Sequence, residues 1–203
     1  SRTNKIDHTN FNFTTIDLSN ITQVNNLVLP FVTSNNVILI NNAATIGSIA
    51  PFDKKEISDI INEYNLNIVS PTLMCKKFIT TYHDQKKLII NIGSGAANSP
   101  IPSWSTYCAT KAALDMLTKV IAEENHKNLK VFSVHPGIVD TNMQKTIRET
   151  SRDLFPLLSK FTAYNSKNEL ETTTIAAKKI HYIILNSNQF IKSILSIRDV
   201  DLK

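Results

Sequence analysis

Glycine is scarce in this chain: four residues of 203, at positions 47, 93, 95 and 137. That scarcity excludes a Gly-x-x-x-Gly-x-Gly turn, the flexible cradle that presses backbone amides against a phosphate. Cysteine is rarer still. Cys75 and Cys108 form neither a metal spacing nor a disulfide framework, which fits a reducing compartment. The histidines at 8, 83, 126, 135 and 181 are dispersed, with no pair at ligand spacing. No apolar run is long enough to cross a membrane and no secretory leader is visible, so a cytoplasmic protein is expected. Internal repeats, low-complexity tracts and linkers are missing too, and residues 1–203 read as a single domain.

What remains is an ordinary globular composition, 42% hydrophobic and 19% charged, in a chain long enough for a sizeable core. The formal charge is +5 and the isoelectric point about 9.1. The lysines are scattered among acids (Lys54, Lys55, Lys76, Lys77, Lys86, Lys87) rather than interleaved with aromatics. A solvated surface with a mild basic bias explains them, and neither nucleic acid nor membrane is expected as a partner.

Three apolar runs have the look of buried parallel strands: "NVILINN" (36–42), "KLIINIGS" (87–94) and "LKVFSVHPG" (129–137). They lack polar alternation, the pattern of a sheet covered on both faces. "FNFTTIDLSN" (11–20) reads as a further strand, with Ser19 or Asn20 placed to cap a following helix, and "SILSIRDV" as a terminal one. Helical stretches lie between them. One pair, or one helix interrupted near Pro71, follows Pro51; others are expected after "DTNMQKTIRET" and over 169–185. The clearest helix covers 105–124. Ala109, Ala112, Ala113, Met116, Leu117, Val120 and Ile121 trace an apolar stripe there, and Tyr107 and Lys111 fall nearly opposite its centre. Strands alternating with helices predict a doubly wound α/β sheet of Rossmann type.

In such a sheet ligands bind beyond the carboxyl ends of the strands. Small residues collect at those ends, in "NNAA" (41–44), "GSGAA" (93–97) and "HPGIVDT" (135–141), and together they describe a crevice. Ser94 ends its strand there, and a loop of thirteen residues can return Tyr107 to the same rim. Residues four apart on a helix share a face, so the Lys111 ammonium can meet the Tyr107 phenol. Either the pair is a polar patch, or the ammonium lowers the phenol's pKa from about 10 toward a useful range. Ser94 would then hold a carbonyl oxygen while Tyr107 delivers a proton.

This constellation resembles the short-chain dehydrogenase/reductase family. The pieces that match are "NNAA", Asn67 within "YNLNIVSP", Ser94, the Y-x-x-x-K of Tyr107 and Lys111, and "PGIVDT", in the family's order over almost the whole chain. Single motifs of this kind are weak, and their combination on strand ends is specific. The resemblance implies a tetrad. Tyr107 is the general acid, Lys111 depresses its pKa and binds the nicotinamide ribose, Ser94 orients the carbonyl, and Asn67 holds a water in the proton relay. Asn65 is a neighbouring candidate for that last role, and an exposed helical asparagine is the plainer account of Asn67.

Cofactor contacts follow by position. Asp17 and Leu18 are similar to the family's adenine-side pair, and Asn42, Ala43 and Ala44 would line the adenosine ribose and phosphates. Pro136, Gly137, Val139 and Thr141 would frame the nicotinamide amide. Arg2 resembles the arginine that NADP-using members place near the 2′-phosphate, so NADP(H) is preferred over NAD(H); the alternative is a solvated terminal arginine. "SPIPSWSTYCATKAALDML" and "VDTNMQKTIRET" carry a likeness to sepiapterin reductases and diketone (benzil-type) reductases within the family. Trp104 is then either a substrate-pocket wall or packing beneath the loop. A homodimer or homotetramer is implied as well.

Three positions depart from the pattern. Ala44 stands where the family's Asn-Asn-Ala-Gly has glycine, Ser196 stands where sepiapterin reductases carry a pterin-anchoring aspartate (Asp199 lies three residues on), and the glycine-rich phosphate turn is absent. In the strand order 3-2-1-4-5-6, strands 1 and 2 separate strand 3 from strand 4. With residues 11–20 as strand 3 and 36–42 as strand 4, the first β-α-β segment is expected to lie outside these 203 residues. The expected activity is NADPH-dependent reduction of a small ketone, diketone or pterin side-chain carbonyl. A non-catalytic nucleotide-sensing or interaction protein on the same fold, or an inactive truncated member, is the alternative.

Overall fold

Apolar runs of this kind can bury their backbone polar groups only by pairing, and all three do so. The computed structural model describes residues 8–202. In it β1 (Asn36–Asn41), β2 (Lys86–Ile92) and β3 (Leu129–His135) form one parallel sheet, which the short β4 (Ile194–Ser196) extends beyond β3. The order is β1-β2-β3-β4, and every pairing is parallel. Asn41 pairs with Asn91 and Asn91 with Ser133, so the strands end level along one rim.

Parallel neighbours need long crossovers, and helices supply them. α1 (Ile21–Asn26) precedes β1; α2 (Ile57–Tyr64) and α3 (Ser70–Thr81) link β1 to β2; α4 (Ser105–Glu123) links β2 to β3. α5 (Asn142–Glu149), α6 (Leu158–Ser166) and α7 (Thr173–Leu185) lie between β3 and β4. One sheet face packs Val37, Ile89 and Val131 against Cys75, Phe78 and Tyr82 of the α3 segment and Ile121 of α4. On the other face Leu88, Ile90, Phe132 and Val134 meet Ala176 and Ile183 of α7, with Ile197 and Val200. Each such fully buried side chain contributes about 1.5–3 kcal/mol. Helices on both faces of a parallel sheet bear out the α/β expectation.

β1 is different. Among the described residues it has one neighbour, β2. Ile38 and Ile40, on the face that α7 covers at β2 and β3, are 49% and 48% exposed.

Three sequence expectations are corrected. Residues 11–20 form no strand, because no described strand lies beside them to take their hydrogen bonds. Their polar end behaves as expected all the same: Asn20 caps α1, its Oδ1 accepting from the Gln23 amide at 3.1 Å. The interruption expected near Pro71 falls earlier, as one π-helical turn over Asn65–Val69 between α2 and α3. Proline has no N–H, so the Asn67 carbonyl loses its donor four residues on, and the wider turn absorbs the mismatch. The helix expected after "DTNMQKTIRET" is α6, and α5 lies within that stretch.

The third correction concerns α4. The apolar stripe is largely its solvent side: Ala109, Ala112, Ala113, Met116 and Val120 are exposed. Its buried side is Thr106, Tyr107, Thr110, Lys111, Leu114, Asp115, Thr118 and Ile121. A polar face turned inward reverses the usual rule for a surface helix, and each buried group then needs a partner.

Candidate active site

Those partners converge at the rim. Thr118 donates to the Leu114 carbonyl (2.8 Å) and accepts from Asn91 Nδ2 (2.9 Å). One turn nearer the rim, Ser133 Oγ donates to Asp115 Oδ1 at 2.6 Å, and His135 Nε2 stands 2.9 Å from Asp115 Oδ2. Another turn on, Lys111 Nζ donates to the Ile92 carbonyl at 2.8 Å. Tyr107 follows, with Ser94 beside its hydroxyl. The rungs are spaced three or four residues apart along one helix face.

Tyr107 and Lys111 are 7% and 3% exposed. The ammonium sits over the phenol ring, 5.7 Å from its centroid. Burial raises the Tyr107 pKa, and the Ser94 side chain draws it part of the way back down. Lys111 is itself lowered to about 8 by burial, with the Asp115 carboxylate pulling the other way. The expected arrangement, an ammonium making the phenol acidic, is therefore altered in detail. Lys111 faces the ring and the Ile92 carbonyl, and Ser94 is the group acting on the hydroxyl.

Asn67 is buried, but its side chain has no room for a water. Its Oδ1 accepts from the Thr45 amide and its Nδ2 donates to the Thr45 carbonyl, both at 2.9 Å, with Thr110 Oγ1 at 3.3 Å. The amide clamps the loop after β1. Pro71, four residues on, has no N–H to offer the Asn67 backbone carbonyl.

A second clamp holds the same loop. Lys55 Nζ pairs with Glu63 Oε1 at 2.9 Å and donates to Thr106 Oγ1 at 2.8 Å, Thr106 Oγ1 donates to Glu63 Oε2, and the Ser48 amide donates to Glu63 Oε1 at 3.1 Å. Gly47 makes this fit. Its φ is +67°, and a Cβ there would stand 1.9 Å from the Glu63 carboxyl. No motif announced this cluster, since its members are distant in sequence and each alone reads as a surface residue.

Above the rim opens a cavity of about 970 Å³. Ser94, Tyr107, Lys111 and Trp104 line it, with Asn42, Ala44, Pro136, Gly137, Val139 and Thr141. Ala43, which is exposed, and Asn67, which is buried, are not part of that lining. Asp17 and Leu18 lie in the turn before α1 and outside it, with the Asp17 carboxylate accepting from Ser19 (2.8 Å). Arg2 is outside the described residues. Trp104 stacks on Phe155 (5.5 Å) and meets Tyr107 edge-on (5.6 Å), so it is both pocket wall and packing.

Lys160 and Arg198, which sequence reasoning missed, join Lys111 in the lining, and among the described residues no carboxylate does. Arg198 could not be found from spacing, because only the β3–β4 pairing brings it to Gly137. Ser196 lines the cavity, whereas Asp199 does not.

Comparison with known proteins follows the same lines. Residues 2–152 match the family described as short chain dehydrogenase. A benzil reductase ((S)-benzoin forming) of Bacillus cereus is 34% identical over 155 residues, which are 74% of this chain and 62% of the relative. A sepiapterin reductase of Rattus norvegicus is 35% identical over 149 residues, 71% of this chain and 56% of the relative. The chain thus spans about 60% of the length of these curated relatives. Among solved structures, a Saccharomyces cerevisiae short-chain dehydrogenase/reductase superposes with a TM-score of 0.80 at 23% identity, covering 92% of this chain and 76% of the other, and shows the fold. ElxO with NADP bound is 26% identical with a TM-score of 0.71, covering 92% of this chain and 76% of the other.

Proposed function

Because the chain belongs to the short-chain dehydrogenase family, we propose that it supplies the catalytic part of an NADPH-dependent oxidoreductase acting on a small ketone or diketone. One observation carries the reading: Ser94, Tyr107 and Lys111 line one cavity at the carboxyl edge of the sheet. Ser94 holds the carbonyl oxygen. Tyr107, whose burial keeps it protonated at neutral pH, gives that oxygen its proton. The Lys111 ammonium, close over the ring, favours the phenolate left behind. The Asn67 carbonyl can hold the water through which the proton is replaced.

The lining fits the nicotinamide end of the cofactor. Three cations without a carboxylate suit a phosphate-bearing ligand, and Gly137 at φ +71° leaves the backbone open. Pro136, Gly137, Val139 and Thr141 would hold the amide, Asn42 and Ala44 the ribose side, and Lys111 the nicotinamide ribose. When bound, NADPH supplies the hydride that reduces the carbonyl carbon. The preference for NADP(H) draws on Arg2 and on ElxO with its bound NADP.

Aromatic and aliphatic walls (Trp104, Phe161, Tyr164, Met143, Ile147) favour an apolar carbonyl compound over a sugar. The free thiols Cys75 and Cys108 suit the cytoplasm, and among the described residues no helix is long and apolar enough to cross a membrane. The exposed apolar side chains of α2 and α4 (Ile57, Ile61, Met116, Val120) support a homodimer or homotetramer. The test is cofactor oxidation by the full-length protein with diketones, sepiapterin and simple aldehydes, run with NADPH and with NADH. Turnover of a diketone with NADPH in preference is expected; no oxidation with any carbonyl would overturn the reading.

A further inference from the structure

Asp115 and His135 carry no role in the reading above, yet His135 lines the same cavity and Asp115 lies directly behind it. Asp115 is one helical turn past Lys111, as Lys111 is one past Tyr107. Its carboxylate is 5% exposed and receives Ser133 Oγ at 2.6 Å and His135 Nε2 at 2.9 and 3.2 Å. These contacts close on β2. A Cβ at Gly93 would stand 2.4 Å from Ser133 Oγ and 2.6 Å from His135 Cδ2, so the missing side chain is the slot in which they rest. The residues on either side of that slot are Ile92, whose carbonyl holds Lys111, and Ser94, which sits at the Tyr107 hydroxyl.

We propose that Asp115 and His135 are a positioning pair, which holds the Ile92–Ser94 segment and the Lys111 ammonium in place beneath Tyr107. The inference rests on the proposed roles of Ser94, Tyr107 and Lys111, and adds the groups that set them. A buried ammonium with one neutral acceptor is costly, and a carboxylate one turn away offsets part of that cost. Without it Lys111 would surrender its proton at lower pH. The charged and titratable groups on the elements around Lys111 are Tyr107 and Asp115 from α4, His135 from β3, Lys160 from α6 and Arg198 at Gly137 from the C-terminal segment, and the Asp115 carboxylate is the one that acts on its charge. Burial lowers the Lys111 pKa and the Asp115 carboxylate raises it part of the way back, which leaves it at about 8.

The experiment is a titration of the lysine side chains by carbon-13 NMR in the full chain, with Lys111 assigned from Lys111→Arg, beside the pH profile of carbonyl reduction. Asp115→Asn keeps the shape and removes the charge. The Lys111 midpoint should fall by about one pH unit, and the alkaline limb of the activity profile should fall with it. Asp115→Glu, which disturbs packing and restores charge, should bring the midpoint back toward its original value, as a merely structural role would not. Asp115→Ser serves if the amide variant does not fold. A midpoint that stays put in the neutral variants overturns the inference, whatever the enzyme does. A midpoint that moves in a protein unable to reduce any carbonyl leaves the positioning of Lys111 standing and rejects the function it was meant to serve.

Discussion

Tyr107 has its hydroxyl in a dry place, and that placement decides how it behaves. Replacing it with Phe keeps the edge-on contact with Trp104 and deletes the proton donor alone. Turnover should fall by about 100-fold or more while the thermal midpoint hardly moves; near wild-type rates in the Phe variant would assign the acid elsewhere. Lys111 makes a prediction that needs no substrate. Its pKa is lowered in the folded chain, to about 8 from an ordinary 10.5. Between those values the unfolded chain binds a proton that the native one has released, so the group makes stability rise with pH across that window. Lys111→Met lacks this dependence. Denaturant midpoints at pH 7 and pH 10 should show wild type gaining on the variant at the higher pH, and a constant difference would contradict the burial of the charge.

At the scale of elements, α4 is organised by its polar side. Thr106 at its first turn, Lys55 before α2 and Glu63 on α2 form one buried cluster that also seizes the loop after β1. Glu63→Gln leaves the Lys55 ammonium buried without its counter-charge and should destabilise the chain by about 3–5 kcal/mol. Because Thr106 adjoins Tyr107, the variant should also lose activity at temperatures where it remains folded. Unchanged stability in urea would mean that the cluster is solvated. The π-helical turn follows the same logic: Pro71 denies a donor to Asn67, and that asparagine spends its side chain on Thr45.

At the scale of the whole chain, an unguarded surface among the described residues is at β1. Its edge has no described neighbour, and Ile38 and Ile40 stand half exposed beside it. An unprotected apolar edge of this kind promotes association between sheets. Replacing Ile38 and Ile40 with Lys should lower the self-association of this 203-residue chain, read by light scattering, and leave its secondary structure intact. Equal scattering from both proteins would place the sticky surface elsewhere, with the exposed side of α2 and α4 the next candidate.

Continuous apolar runs determined β1, β2 and β3 within a residue or two, because a strand buried on both faces needs apolar side chains at every position. Tyr107 and Lys111 were legible too, since four-residue spacing on a helix fixes a shared face whatever the surroundings. Residues 11–20 were misread because a strand is made by its neighbour, and propensity cannot supply one. The apolar stripe on α4 is a related case. Periodicity reports two faces, and only packing says which one is buried. The pairing of Asp115 with His135 and the parts played by Glu63 and Arg198 left no trace in the sequence. Their meaning lies in distances between strands and helices far apart in the chain, and the tertiary structure alone decided those.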